Sequence, residues 1–224
     1  MTTPSETQVT AVSSRDLFPR LKPISPVLLV LHLVIFGVLL LLDSVTFPVL
    51  NPALEWVRKK VIFLTYFREF GHFYTTAAGA ALVWCVFPDR RRAVPYIVAA
   101  VLFAGGMMEL TKALVGRVRP NESKAALIIK GPFQAESPSL PSGHATVAMA
   151  NAHAIGLVIP AARPVLYTLA IGTGLHRIEH GRHFLADVYL GFIYGIIFPQ
   201  LMAFWWRRNA GFWDRRLKGR MFRT

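Results

Sequence analysis

Three short blocks of this chain hold residue types able to handle a phosphoryl group. The first, Lys112-Ala-Leu-Val-Gly-Arg-Val-Arg119-Pro120, sets two cations seven residues apart where an apolar run gives way to a polar connection. A guanidinium offers a planar fork for bidentate phosphate contact and an ammonium a point charge, so Lys112 and Arg119 are complementary phosphate binders. Cations at the ends of membrane helices also snorkel to the interface, so the pair decides nothing alone. Arg117, between them, reads as bland, and Glu109 lies one turn before Lys112, within pairing reach.

The second block, Pro141-Ser142-Gly143-His144, stands directly before an apolar stretch. A helix starting there would aim free N–H groups and its dipole at an anion, with Ser142 and Gly143 beside it and Gly143 permitting close approach. His144, in the first turn, would be placed to protonate a leaving oxygen. A capped helix start is the plain alternative.

The third block, Arg177-Ile-Glu-His-Gly-Arg-His183-Phe-Leu-Ala-Asp187, adds a further cation and a His–Asp pair four residues apart. On a helix that pair shares one face. An Asp bonded to one ring nitrogen would fix the tautomer and raise the basicity of the other, the arrangement of a covalent nucleophile and its orienter. Asp187 also sits in an apolar run, where a carboxylate is costly and points to function. A structural His–Asp pair is the competing account.

The elements that must position these blocks are membrane helices. The 224 residues are 54% hydrophobic and 17% charged, with mean hydropathy +0.43, which disfavours a soluble globular domain. The net charge of +13 would suit nucleic acid or anionic lipid, and the hydropathy favours lipid. Apolar runs at 26–46, 70–87, 93–112, 142–162, 164–177 and 183–206 predict six spans, the fifth being short. The expected fold is all-α, an integral membrane bundle of about six transmembrane helices. Its membrane domain covers 25–207, between an N-terminal tail at 1–24 and a basic C-terminal tail at 208–224, both read as solvated or headgroup-facing.

Residues 51–68 suit an amphipathic interfacial helix or a plain connector. Gly191, Gly195 and Pro199 are expected as kinks or close-packing points. The single Cys85 excludes an internal disulfide and reads as core or lipid-facing filler. No removable signal peptide is expected. Arg15, Arg20, Lys22, Arg90 to Arg92, Arg163 and seven basic residues from Arg207 to Arg223 would face the cytoplasm, with Trp205, Trp206 and Trp213 at the inner interface. That orientation gathers the connections at 115–141 and 178–182 on the outer face.

Together the blocks resemble the signature of the type 2 phosphatidic acid phosphatase superfamily, Lys-x6-Arg-Pro, Pro-Ser-Gly-His and Ser-Arg-x5-His-x3-Asp, over residues 112–187. The one departure is His176 in place of the motif serine, and it is left outside the expected site. The resemblance implies a six-helix membrane phosphatase in which His183 attacks phosphorus, His144 protonates the leaving group and Asp187 orients the nucleophile. It implies phosphate binding by Lys112, Arg119, Ser142, Gly143 and Arg177. It also implies metal independence and no cofactor, the cations taking the charge-neutralising role of a metal ion.

The expected substrate is a phosphate monoester or pyrophosphate of a membrane lipid, of the phosphatidic acid, phosphatidylglycerol phosphate, undecaprenyl pyrophosphate or lipid A class. Membrane lipids are the other expected partners, and nucleic acid is not one. Location in the inner membrane, with both termini cytoplasmic and the site facing outward, completes the reading. A lipid phosphotransferase using the same site, and a non-enzymatic transport or interaction protein whose buried ions form a network, are the alternatives.

Overall fold

A computed structural model describes residues 13–19, 21–60, 62–123 and 125–217. Among the described residues seven α-helices follow one another: α1 Pro26–Lys60, α2 Phe73–Val86, α3 Val94–Val115, α4 Gly143–Val158, α5 Arg163–Glu179, α6 Leu185–Arg208 and α7 Ala210–Arg216. Three described segments, Pro26–Lys60, Pro88–Val115 and Leu185–Arg208, are long and apolar enough to cross a membrane, and Phe73–Val86 is a shorter apolar helix. Among the described residues there is no strand, only an isolated bridge between Arg117 and Ile129. The molecule is an all-α membrane bundle.

The bundle is arranged around α4. Every residue of that helix from Ala145 to Val158 is buried, and its partners are α3, α5 and α6. Its face is built of alanines and a glycine, which lets neighbouring backbones come close. The reciprocal positions on α6 are Gly191 and Gly195. A Cβ on Gly195 would lie 2.6 Å from Met149 Cβ and 2.7 Å from the Ala150 amide nitrogen, so close packing, as expected, is what these glycines serve. On the outside, α1 exposes Val27, Leu28, Val30, Leu31, Leu33, Val34 and Val38, a surface for lipid. Cys85 is exposed on α2, which takes its lipid-facing reading over the core one.

Three expectations are corrected. The first helix runs on through Pro48 and Pro52 to Lys60 and absorbs much of the expected interfacial segment, whose remainder is a 3₁₀ helix, Ile62–Gly71. Each proline removes one N–H donor and crowds the carbonyl four residues before it, a local cost that packing of the distal part of α1 against the α5–α6 region offsets. The sixth helix starts at Leu185, with Phe184 as its N-cap, so His183 precedes the helix.

The third correction concerns the tails, which contribute buried residues to the core as well as exposed ones. Leu17 and Phe18 are buried in one cluster with Tyr96 and Trp206, and Trp206 stacks on Trp213 at 3.8 Å. Asp214 accepts from Ser14 N–H at 2.9 Å and Ser13 Oγ at 3.1 Å, tying the two ends of the chain together. Trp206 is thus a core residue. The expectations for residues 1–12, 20 and 218–224 lie outside the described residues.

Candidate active site

The three blocks converge because α3, α4, α5 and α6 present their ends at one side of the bundle. Lys112 is in the last turn of α3, which stops at Gly116, whose φ of 65° is left-handed backbone that favours glycine. Arg119 follows in the connection, Ser142 is the N-cap of α4, Gly143 and His144 begin its first turn, and Arg177 is in the last turn of α5. Lys112, Arg119, Gly143, His144, Arg177 and His183 line one cavity of about 310 Å³. Ser142 and Asp187 stand behind that wall, the Ser142 N–H donating to the Asp187 carbonyl at 2.9 Å.

The cavity's donors exceed its acceptors. Among the described residues, Ser142 Oγ, Arg119 Nε and Arg177 Nε are buried without a hydrogen-bond partner. Buried polar atoms of this kind ask for a ligand of opposite character. Lys112 pairs with Glu109 at 3.4 Å, as the sequence suggested. Burial, then the neighbouring Arg182, holds the Arg119 guanidinium below its ordinary value. An anion with several oxygens is the ligand that three clustered cations and the α4 N-terminus suit.

His183 lies in the connection between α5 and α6 and is 2% exposed. Its Nδ1 is 2.9 Å from the Ser139 carbonyl oxygen and 3.7 Å from Asp187 Oδ2. A carbonyl can only accept, so Nδ1 carries the proton and Nε2 keeps its lone pair. Asp187, expected to orient the ring from the same helical face, lies beyond hydrogen-bond reach. The Ser139 carbonyl is the nearer partner of Nδ1, with the Asp187 carboxylate at charge-pair distance behind it. Burial pushes the imidazole down from 6.5 to about 4, against a partial lift from Asp187, so the ring is neutral at pH 7.

Asp187 has other work. Its Oδ2 accepts from the Phe184 N–H at 2.8 Å in a capping position, and its Oδ1 from Arg117 Nη1 at 2.6 Å. Arg117, read as bland from sequence, is fully buried: Nη2 donates to Asp43 at 2.8 Å, Nε to the Ala126 carbonyl at 2.9 Å, and the guanidinium lies 4.4 Å from the Phe184 ring centroid. The usable signal was Asp43, a lone carboxylate in the first apolar run, which the argument applied to Asp187 would also have caught.

Also unforeseen in the cavity wall are Gly71, His72, Phe73, Met108 and Val147, with His72 edge-on to His144 at 4.6 Å between ring centroids. His176 is buried outside this cavity, stacked on His180 at 4.0 Å. Among the described residues, His176, Glu179 and His180 are the one grouping with metal-ligand types together, their ligating atoms within 4.8 Å. Glu179 there already accepts from Arg58 at 2.7 Å.

One cleft of this membrane bundle thus brings three cations, a helix N-terminus and a buried neutral histidine together, a lining suited to an oxyanion such as phosphate. The PAP2 superfamily matches residues 93–210, and the chain belongs to that family. It is 33% identical over 111 residues to a lipid A 1-phosphatase of Rhizobium johnstonii, covering 48% of this chain and 46% of that one. It is 32% identical over 111 residues to a lipid A 1-phosphatase of Rhizobium etli, covering 48% of each. The chain thus spans about half the length of these curated relatives. The crystal structure of Aquifex aeolicus LpxE aligns with 22% identity and a TM-score of 0.49, over 70% of this chain and 92% of that one.

Proposed function

We propose that the protein is a membrane lipid phosphatase that works through a phosphohistidine on His183. The observation that carries this reading is the state of His183: neutral, Nδ1–H engaged by the Ser139 carbonyl, and set in the wall of a cavity with Lys112, Arg119 and Arg177. The Nε2 lone pair attacks phosphorus while the bond from phosphorus to the lipid oxygen breaks, and His144, acting as the imidazolium that a bound phosphate anion favours, gives its proton to that oxygen. Water then attacks the phosphohistidine, His144 takes the water proton, the P–N bond breaks and phosphate leaves. Lys112, Arg119 and Arg177 neutralise the equatorial oxygens throughout, with Ser142 and the Gly143 amide beside them, which removes the need for a metal ion.

Relatives described as lipid A 1-phosphatases favour a phosphate on a saccharide lipid headgroup as substrate. The decisive assay is phosphate release by purified protein in EDTA from a panel of lipid phosphates and pyrophosphates, including lipid A. Release that vanishes in His183→Ala is expected; release that persists there refutes the mechanism. A phosphotransferase would instead require an added lipid acceptor.

The basic residues at 90–92 and 207–216 support an inner-membrane orientation with these segments cytoplasmic and the cleft outward. Glu122→Cys, in a Cys85→Ser background, should then label with an impermeant thiol reagent in cells whose cytoplasmic membrane is intact. Protection there would reverse the orientation.

A further inference from the structure

We infer that the C-terminal half of α1 is a strap that sets the position of the nucleophile, with Asp43 and Arg117 as positioning residues; this rests on the phosphatase reading above. The α5–α6 connection carrying His183 is short and includes Gly181 at φ 64°, and such a segment does not by itself hold a side chain to the fraction of an ångström that in-line attack requires. The structure supplies rigidity from α1, one contact per turn. Asp43, Phe47, Asn51, Leu54 and Arg58 follow at helical spacing, and each meets the hairpin formed by α5, its connection and α6.

Their contacts run along the hairpin in order. Asp43 Oδ1 accepts the Ala186 N–H at 3.1 Å, in the first turn of α6. Phe47 packs edge-on against Phe184 at 5.4 Å. Asn51 Nδ2 donates to the carbonyls of Ile178 and Glu179 at 2.9 and 2.6 Å. Leu54 joins the cluster around Ile178, and Arg58 pairs with Glu179 at 2.7 Å. Asp43 is the one fully buried residue of α1, whose opposite face is exposed and apolar.

Arg117 locks this strap to the catalytic wall. Its guanidinium bridges Asp43 and Asp187, all three side chains being fully buried. Its backbone carbonyl accepts the Ser139 N–H at 2.8 Å, and Ser139 is the residue whose carbonyl holds His183 Nδ1. One residue therefore fixes the acceptor that orients the ring, through its main chain, and the start of the helix that follows the ring, through its side chain. Neither Asp43 nor Arg117 lines the phosphate cavity, so their action on turnover passes through His183. The strap also lies outside residues 93–210, the part matched to the family.

The test is steady-state kinetics of Asp43→Asn and Arg117→Lys on a lipid phosphate, with wild type and His183→Ala in the same series and inorganic phosphate as competitive inhibitor. Monodispersity and thermal unfolding in detergent report the folded fraction. A displaced nucleophile lowers kcat about 10- to 100-fold while KM and the phosphate inhibition constant stay within about threefold, because the cradle is untouched. Wild-type kcat per folded molecule, whether or not the folded fraction drops, overturns the inference.

If neither variant folds, Asn51→Ala carries the test. It removes two bonds to the same hairpin without stranding a charge and should lower kcat about 3- to 10-fold, KM again being steady. An unchanged kcat would overturn the strap. Inactive wild type, or active His183→Ala, brings down the phosphatase reading and the strap with it, whereas normal turnover in the strap variants brings down the strap alone.

Discussion

His183 and His153 are both buried histidines, and the molecule treats them in opposite ways. His153, toward the other end of α4, has both ring nitrogens occupied: one at 2.7 Å from the Tyr167 hydroxyl, the other at 2.8 Å from Gln200 Oε1. It lines a cavity of about 480 Å³, larger than the one at the α4 N-terminus, together with Lys22, His32 and Arg163. His183 has one nitrogen occupied and one to spare, among cations whose own donors are incompletely used. Cavity size does not separate the two regions. Reactivity belongs to the region where hydrogen-bonding capacity is left over, and rigidity to the one where it is saturated.

The comparison breaks most visibly at the two histidines themselves. His183→Ala should reduce phosphate release to background, whereas His153→Ala should keep normal turnover per folded molecule and lose about 1–3 kcal/mol of stability, read as a lower unfolding temperature. Loss of turnover in folded His153→Ala would mean that the saturated region takes part in catalysis.

A smaller loss, about 10²- to 10⁴-fold, is expected in His144→Ala. Substrates with acidic leaving groups need no proton donor, so an aryl phosphate should recover much of that loss. Equal impairment on both substrates would remove the general-acid role. Arg119→Ala should cost about 10²-fold in kcat/KM through lost transition-state charge stabilisation, and Arg119→Lys should restore only part of it.

Acid pH sharpens the contrast between His183 and an ordinary histidine. With its value held at about 4, His183 stays neutral well below 6.5. At about pH 5, kcat/KM, corrected for ionisation of the substrate, should therefore be roughly thirtyfold higher than for a nucleophile titrating at its ordinary value. An acid limb near 6.5 would contradict the burial argument. The same depression makes stability depend on pH: the unfolded chain binds the extra proton, so the contribution is full above 6.5 and is lost as pH falls toward 4. The smallest effect is expected from Gly143→Ala, whose Cβ would sit 3.2 Å from Lys112 Nζ. A lysine end can move aside, so a few-fold rise in KM should be measured.

The residues that gather at the cleft were legible because their types and spacing are local: Lys112 with Arg119, Ser142 with His144, Arg177 with His183. What joins them to the rest of the chain was not. Arg117 meets Asp43 across 74 positions, and nothing near either residue announces the other. The capping role of Asp187 depended on where α6 begins, and a two-residue difference moved His183 off the helix and handed its ring to Ser139. The extent of α1 was missed because the apolar run was taken to end at 46, whereas the helix continues through Pro48 and Pro52 to Lys60. Apolar runs foretold the helices well, but not that α4 would be sheathed wholly by protein.

That sheathing sets what the bilayer can and cannot influence. His144 rides on a helix whose residues from Ala145 to Val158 are all buried in protein, and the close-packed glycines of α6 leave it little room to shift. Changes in acyl-chain length or membrane tension act first on the exposed flanks of α1 and α2 and reach the cleft only through many packed side chains. In vesicles of graded thickness, supply of substrate and intrinsic rate would then separate, the lipid setting how often a headgroup enters and the protein alone setting what happens once it has.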